Sequence, residues 1–547
     1  MLSLSPAASV AAALAAYAIY SILRLFYNEW TSPLRKMPGP KSHHWLQGDR
    51  MEFLSNLDSK ENLWRQEFGP SFRLNSFLGF SQLQTSDPKA FQHVLSNHYL
   101  YQRSPAGRYV LGRIVGPGVL VVEEDEHKKQ RKIMNPAFGP THLRALTEIF
   151  VEKSKQLRDN WLSKASQNGG AVKLNVIPEY STAALDIIGK AGFNYDFNSL
   201  TAHSDSGVGV RDELHEAFVK VSAAGDLQKN ILGLLQISVP FLRPFLPKTA
   251  IDKTIEHAQA TMRRIGLGLL EDSKKQIIAS GGESRVSRDL LSLLVRANMD
   301  KDVPEGQRLS DDDVLAQVPT FLVAGHETTA ASWTTYELAK NPELQTRLRE
   351  ELLAVETDTP LFFRQSMDDL NALTYLDCVV RETMRAHAPV PVTARIAMAD
   401  DVIPLAKPYT DRDGVVQDTI HIRKGQSVIM PILAVNRDPK IWGSDALEFI
   451  PERWQRTPAI STSVPGVWSQ MLTFIGGPRA CIGFRFSIIE LKALLFTLVR
   501  SCEFELAVPA DEVGRIGTAI VQLPMVRSER EKGSQMPVFV RPYVQPA

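Results

Sequence analysis

The chain opens on an unbroken apolar run. From Met1 to Leu23 no side chain carries a charge, Ala, Leu, Ile and Tyr predominate, and the first charged residue is Arg24. A helix rises about 1.5 Å per residue, so this run is long enough to cross a bilayer core of about 30 Å. It predicts an N-terminal transmembrane helix over residues 1–27, with Tyr27 and Trp30 suited to the interface. The competing reading is a cleaved signal peptide, with Ala15 and Ala16 as small residues for a peptidase. Against it, no basic residue precedes the run and the cysteines of a secreted fold are lacking. Arg24, Arg35 and Lys36 follow the run, so the positive-inside rule places the body of the protein in the cytoplasm.

After the run, the pattern breaks at Met37-Pro38-Gly39-Pro40, where each Pro fixes φ and removes a donor. Residues 28–40 therefore read as a linker with a stiff elbow, and 41–547 as the catalytic body. Short apolar runs separated by Gly69, Pro70 and Gly79 predict a small β region over 62–87. Most of the chain beyond it is helical in pattern. The longest helix starts near Ser310, where Asp313 completes a capping pair, and runs to Lys340, stopped by Asn341-Pro342 and kinked by Pro319. Further helices are predicted over 370–386 and 482–500. Residues 239–247 are apolar and punctuated by Pro240, Pro244 and Pro247, a loop that is either a buried crossover or a lid dipping into lipid. There is no internal repeat.

Composition narrows the function classes. With 44% hydrophobic residues over 547 positions the chain can bury one large core plus extras. Lys and Arg number 62 against 61 Asp and Glu, so no net field recruits nucleic acid. Three cysteines, Cys378, Cys481 and Cys502, are too few for a disulfide framework. Gly116-Pro117-Gly118, Gly207-Val208-Gly209 and Gly266-Leu267-Gly268 each lack the third glycine of a dinucleotide fingerprint. His326-Glu327 fails as a zinc protease motif because position 329 is Thr.

One cysteine stands apart. Phe474-Ile475-Gly476-Gly477-Pro478-Arg479-Ala480-Cys481-Ile482-Gly483 matches F-x-x-G-x-R-x-C-x-G at every fixed position. Upstream stand Glu382-Thr383-Met384-Arg385, an E-x-x-R, then Phe449-Ile450-Pro451-Glu452-Arg453-Trp454, and on the long helix Ala324-Gly325-His326-Glu327-Thr328-Thr329. In this order the motifs resemble those of the cytochrome P450 family, over residues 37 to 530, with the flavour of fungal microsomal members. The chemistry agrees: a thiol at the start of a helix is biased toward thiolate, and glycines let backbone approach a flat macrocycle. Gly325 is costly in mid-helix, and its small size leaves room for dioxygen.

The resemblance implies a mainly α fold with a small β region, preceded here by the membrane helix. It implies a haem-thiolate monooxygenase holding haem b, with Cys481 as the iron ligand. Phe474, Gly483, Ala324 and Gly325 would line the cofactor, and His127, Arg131, Arg395 and Arg479 would meet its propionates. His127 stands where many members have Trp. Glu382, Arg385 and Arg453 map to a buried ionic triad, with Trp454 for the usual Phe. Glu327 and Thr328 correspond to the acid and alcohol that relay protons so that water leaves. Electrons would come from NADPH through a separate NADPH–cytochrome P450 reductase. Lys128, Lys129, Lys132, Arg437 and Lys440 are either its docking face or an ordinary solvated surface. By position, residues 104–112, Phe321, Val390 to Val392 and Ala519-Ile520 correspond to pocket walls. They are mostly apolar and imply a lipophilic substrate such as a terpenoid, sterol, fatty acid or aromatic, in secondary metabolism or xenobiotic oxidation at the endoplasmic reticulum membrane. The rival classes are a haem-thiolate isomerase or dehydratase and a non-enzymatic haem or lipid carrier.

Overall fold

The computed structural model describes residues 6–42, 48–49, 57–202, 213, 231–238, 240–279, 289–299, 304, 306, 308–327, 331–355, 366–455, 464–517 and 521–545. The chain divides into two compact units, one of residues 1–102, 392–434 and 463–465, the other of 103–391, 435–462 and 466–547.

The smaller unit begins with a helix of 25 residues, α1 (Pro6–Trp30). Its large apolar side chains face outward, Tyr17, Ile19, Tyr20, Leu23, Tyr27 and Trp30 all being exposed. Among the described residues no helix is long and apolar enough to cross a membrane, so the predicted span finds no support there. The end of α1 is fastened to the sheet of the same unit. Glu29 accepts hydrogen bonds from the Ser81 amide (3.0 Å) and hydroxyl (2.6 Å), and Phe26 packs on Phe80 at 5.8 Å. Gln426 donates to the Ser32 hydroxyl at 2.6 Å, and Arg423 to the Thr31 hydroxyl at 2.6 Å. The proline elbow lies against strand Ser71–Asn75: the Arg73 amide donates to the Pro38 carbonyl at 2.9 Å. A Cβ on Gly39 would come within 2.0 Å of the Arg73 carbonyl oxygen, so the chain can pass there only as glycine.

Ser71–Asn75 pairs antiparallel with Ser81–Thr85, which pairs parallel with Ser427–Met430; Thr393–Ala397 and Tyr101–Gln102 complete five strands. The predicted β region therefore exists but begins at Ser71. Residues 57–68 are instead a helix, because Trp64 and Phe68, four apart, present one face to Phe72, Leu74 and Ile429.

The larger unit is helical around helix Phe484–Ser501, which packs along Pro140–Gln167 with Phe486 edge-on to Phe150 at 4.7 Å. Strands Val172–Asn175, Pro537–Pro542 and Cys502–Leu506 form a small antiparallel sheet, and Val513–Gly517 with Gln522–Val526 a hairpin. The helices of the larger unit include α2 (Pro105–Val115), α3 (Glu124–Met134), α4 (Val176–Phe193), α5 (Asp311–Leu315), α6 (Gln317–Glu327), α7 (Ala331–Lys340), α8 (Thr374–Ala386) and α9 (Phe484–Ser501). The predicted long helix is thus divided. Its start carries the expected capping box of Ser310 and Asp313. The break falls after Leu315 rather than at Pro319, because Pro319 has no N–H to donate to the Leu315 carbonyl one turn back. The predicted helix over 370–386 is likewise two, Met367–Ala372 and α8. In the apolar stretch 239–247, Pro240–Phe245 forms a 3-10 turn with Phe245 at its exposed tip.

Candidate active site

Cys481 lies at the end of a tightly wound loop. Ile475 and Gly477 both adopt positive φ, and the Cys481 amide donates back to the Phe474 carbonyl at 3.0 Å, closing the loop on itself. Phe474 anchors it, buried against Trp468 (5.8 Å) and Phe484 (5.9 Å). Helix α9 begins three residues later, with Gly483 as its N-cap. Cys481 is the one exposed cysteine, yet its sulfur is also ringed by protein atoms, and we read it as a recessed but reachable thiol. Burial pushes the thiol up, while the Gly483 amide and the Arg131 charge pull it down, with a net rise. The helix-start argument is therefore half the story: without a metal, desolvation outweighs the N–H groups. Cys378 and Cys502 are buried, pushed up by burial to about 11 and about 12, and are inert core thiols.

Basic side chains gather beside this loop. Arg131, on α3, donates to the Ala480 carbonyl, and His127, one turn before it, is buried. Arg479 donates to the Val122 carbonyl at 2.6 Å and pairs with Glu123, which also accepts from the Arg103 amide at 3.0 Å. Burial, and after it the charges of Arg103 and Arg108, lower Arg479 to about 9. The Nε atoms of Arg103 and Arg108 are buried without a hydrogen-bond partner. The charges of Arg103 and Arg108 thus bear on Arg479, itself paired with Glu123, an arrangement that calls for a further anion. A haem, with two propionates, satisfies that need, so the residues present fit it. Sequence reasoning missed Arg103 altogether and touched Arg108 only as part of the 104–112 pocket wall. Arg395 belongs to the smaller unit, where it is buried and donates to Thr393 Oγ1 and the Ala394 carbonyl, both at 2.8 Å.

Helix α6 is held closely on two sides. A Cβ on Gly118 would sit 2.2 Å from Thr320 Oγ1, and the Val119 amide donates to Gln317 Oε1 at 3.1 Å. Opposite, a Cβ on Gly325 would sit 2.9 Å from Ile188 of α4. Gly325 therefore has a packing reason, helix against helix, for its presence in mid-helix. Beside it Ala324 is half-buried, and His326 Nε2 lies 2.5 Å from Ser181 Oγ on α4. Phe321 is buried between Phe138 (5.6 Å) and Phe193 (6.2 Å) in an aromatic cluster. Glu327 is the last described residue of α6. Its side chain, Thr328 and the pair Ala519-Ile520 lie outside the described residues.

The ionic triad is present. Glu382 and Arg385 are fully buried and joined by two hydrogen bonds of 2.9 and 2.7 Å, and Arg453 approaches Glu382 at 3.5 Å while pairing with Asp445 at 2.7 Å. Arg385 also donates to the carbonyls of Asn436, Ala446 and Glu448. Trp454 is more than a stand-in for Phe: its indole N–H donates to Glu382 at 3.0 Å. The triad reaches the cysteine loop through Thr473, which donates to the Met384 carbonyl at 2.7 Å and accepts from Asn436 at 2.8 Å. At the end of α8, His387 bridges Glu337 of α7 (2.7 Å) and Arg515 of the hairpin (3.0 Å), stacked on Trp333 at 4.5 Å.

Known proteins share this sequence pattern along nearly the whole chain. The family model described as Cytochrome P450 matches residues 37–523. Cytochrome P450 monooxygenase 205 of Postia placenta is 46% identical over 98% of this chain and 98% of its own. Cytochrome P450 monooxygenase 128 of the same fungus is 47% identical over 97% of each. A ganoderic acid synthetase of Ganoderma lucidum is 32% identical over 91% of this chain and 92% of its own.

Proposed function

This chain belongs to the cytochrome P450 family and is a monooxygenase, and from that premise we propose that Cys481 is the thiolate ligand of a haem b whose propionates the arginine cluster receives. The observation that carries this reading is the recessed Cys481 thiol beside buried arginines whose charges call for a further anion. When bound, the haem iron supplies the activation of dioxygen, which a thiolate ligand favours. The chain's own residues do the rest. Arg131 lowers the cost of a thiolate at Cys481, and the Gly483 amide does the same from the other side. His127 and Arg395 are the remaining propionate partners. Phe474, Ala324 and Gly483 border the cofactor, and the triad that α8 makes with Arg453 keeps the cysteine loop in register. Glu327 and Thr328 deliver the protons that turn the second oxygen atom into water.

The family implies a redox partner, and the electrons come from NADPH through a separate reductase. The substrates are lipophilic small molecules. The name of the Ganoderma relative, a ganoderic acid synthetase, supports a place in fungal secondary metabolism. The outward apolar side chains of α1 support attachment to the endoplasmic reticulum membrane, with the catalytic body in the cytoplasm.

The test is spectroscopic and chemical. The reduced protein under carbon monoxide absorbs at about 450 nm, and Cys481→Ala loses both that band and turnover; a wild-type band at about 420 nm would overturn the assignment. With reductase, NADPH and a terpenoid panel, oxygenated products are expected. Conversion of panel members without NADPH use would instead favour an isomerase.

A further inference from the structure

The motif Ala324 to Thr329 contains a residue that has been given no part in the reaction, His326. An imidazole is a mediocre helix former, and a half-buried one needs a polar partner. Its partner is Ser181 Oγ on α4, 2.5 Å from Nε2. The neighbouring Gly325 lets α6 approach Ile188 of the same helix. Ser181 and Ile188 are seven residues apart, about 10.5 Å along α4. Two adjacent residues of α6 thus touch α4 at two separated points. The glycine contact sets how close the helices come, and the hydrogen bond, being directional, sets how far α6 is rolled about its own axis.

We propose that Ser181 and His326 form a positioning pair that fixes the roll of α6, and with it the direction in which the next residue, Glu327, is offered for proton delivery. The inference rests on the monooxygenase reading. Each residue advances about 100° around a helix, so pinning His326 on α4 sets the azimuth at which Glu327 leaves α6. Proton transfer tolerates little displacement, and an error of about 1 Å can cost about a hundredfold in rate. Loss of the pair should therefore misdirect protons, releasing reduced oxygen as peroxide, while leaving haem binding alone.

The experiment compares Ser181→Ala, His326→Phe and His326→Gln in the full-length holoenzyme with its reductase. Peroxide formed per NADPH consumed, and the solvent deuterium effect on product formation, are measured in preparations normalised to the band at about 450 nm. Ser181→Ala and His326→Phe should raise the peroxide ratio roughly two- to tenfold, and His326→Gln, which keeps a donor, should restore it. An unchanged ratio and isotope effect in Ser181→Ala would overturn the proposal, as would His326→Gln behaving like His326→Phe. Absence of the band from the wild-type protein would strike the thiolate reading instead, which keeps the two failures apart. Ser181→Ala alters only a small side chain on α4, so it remains informative if His326→Phe does not fold.

Discussion

At the scale of single residues, the site is governed by charges that lack a counterpart. Arg103 and Arg108 carry buried Nε atoms with no partner, next to an Arg479 lowered first by burial and then by their proximity. Removing one of them weakens the hold on an anionic group without touching the thiolate. Arg103→Ala and Arg108→Ala should each speed transfer of haem to an apo-acceptor roughly ten- to hundredfold, about 1.5–3 kcal/mol for a charge-assisted hydrogen bond. The same variants should leave the position of the carbon monoxide band unchanged. These arginines were illegible in the sequence because their meaning lies in a neighbour more than 370 positions away. Cys481, by contrast, could be read outright, since its loop is local and its spacing rare. His387 titrates in a window of its own. Burial first, then the nearby Arg515, lower it to about 4, while Glu337 holds it up. Between the ordinary histidine value of about 6.5 and that lowered value, the unfolded chain takes up a proton that the folded protein refuses. Stability from this group is therefore full above the ordinary value and falls as pH drops through the window. Glu337 is lowered as well, so its contribution is lost only on further acidification, as pH falls through the carboxylate range. Thermal midpoints of the wild type should fall between pH 7 and about 4.5 more steeply than those of His387→Gln.

At the scale of elements, the helices lean on positions that admit no side chain. Gly325 against Ile188 is the clearest case, with a Cβ reaching 2.9 Å from Ile188 Cγ1. Gly325→Ala gains about 1 kcal/mol of helix propensity but forces α6 away from α4, costing about 1–3 kcal/mol by overpacking. The net effect should be a lower denaturation midpoint, partly restored by Ile188→Ala in the same chain. The sequence announced that a glycine there needed a reason, room for dioxygen, and the structure adds a second, the close approach of α4, which only packing reveals. Helix starts were legible through chemistry, as Ser310 and Asp313 show, whereas the break after Leu315 was displaced from Pro319 by one turn. Residues 62–68 misread as strand for a related reason. Their short apolar runs suit either state, and the decision fell to Trp64 and Phe68 reaching the same cluster.

At the scale of the molecule, the family and its chemistry were plain from the ordered motifs, while substrate choice resides in segments whose sequence carries little pattern. The N-terminal helix illustrates how the parts depend on each other. Its exposed apolar stretch and its anchored end are separable. Deleting residues 1–23 should move the protein from the membrane pellet to the supernatant with little change in melting temperature. Deleting 1–36 also removes the Glu29 bonds to Ser81, the Thr31 and Ser32 contacts and the Lys36–Asp413 pair, and should lower it. If both truncations melted alike, the end of α1 would be ornamental.

The segregation of the three cysteines makes the protein its own gauge of cofactor loading. Cys378 and Cys502 are out of reach of an alkylating reagent at neutral pH, both by burial and by their raised thiols. Cys481 is reachable, but as an iron ligand its sulfur would be shielded from attack. The number of labels taken up per chain in a mass spectrum should then run from none toward one as haem is withdrawn, counting empty molecules directly without recourse to absorbance.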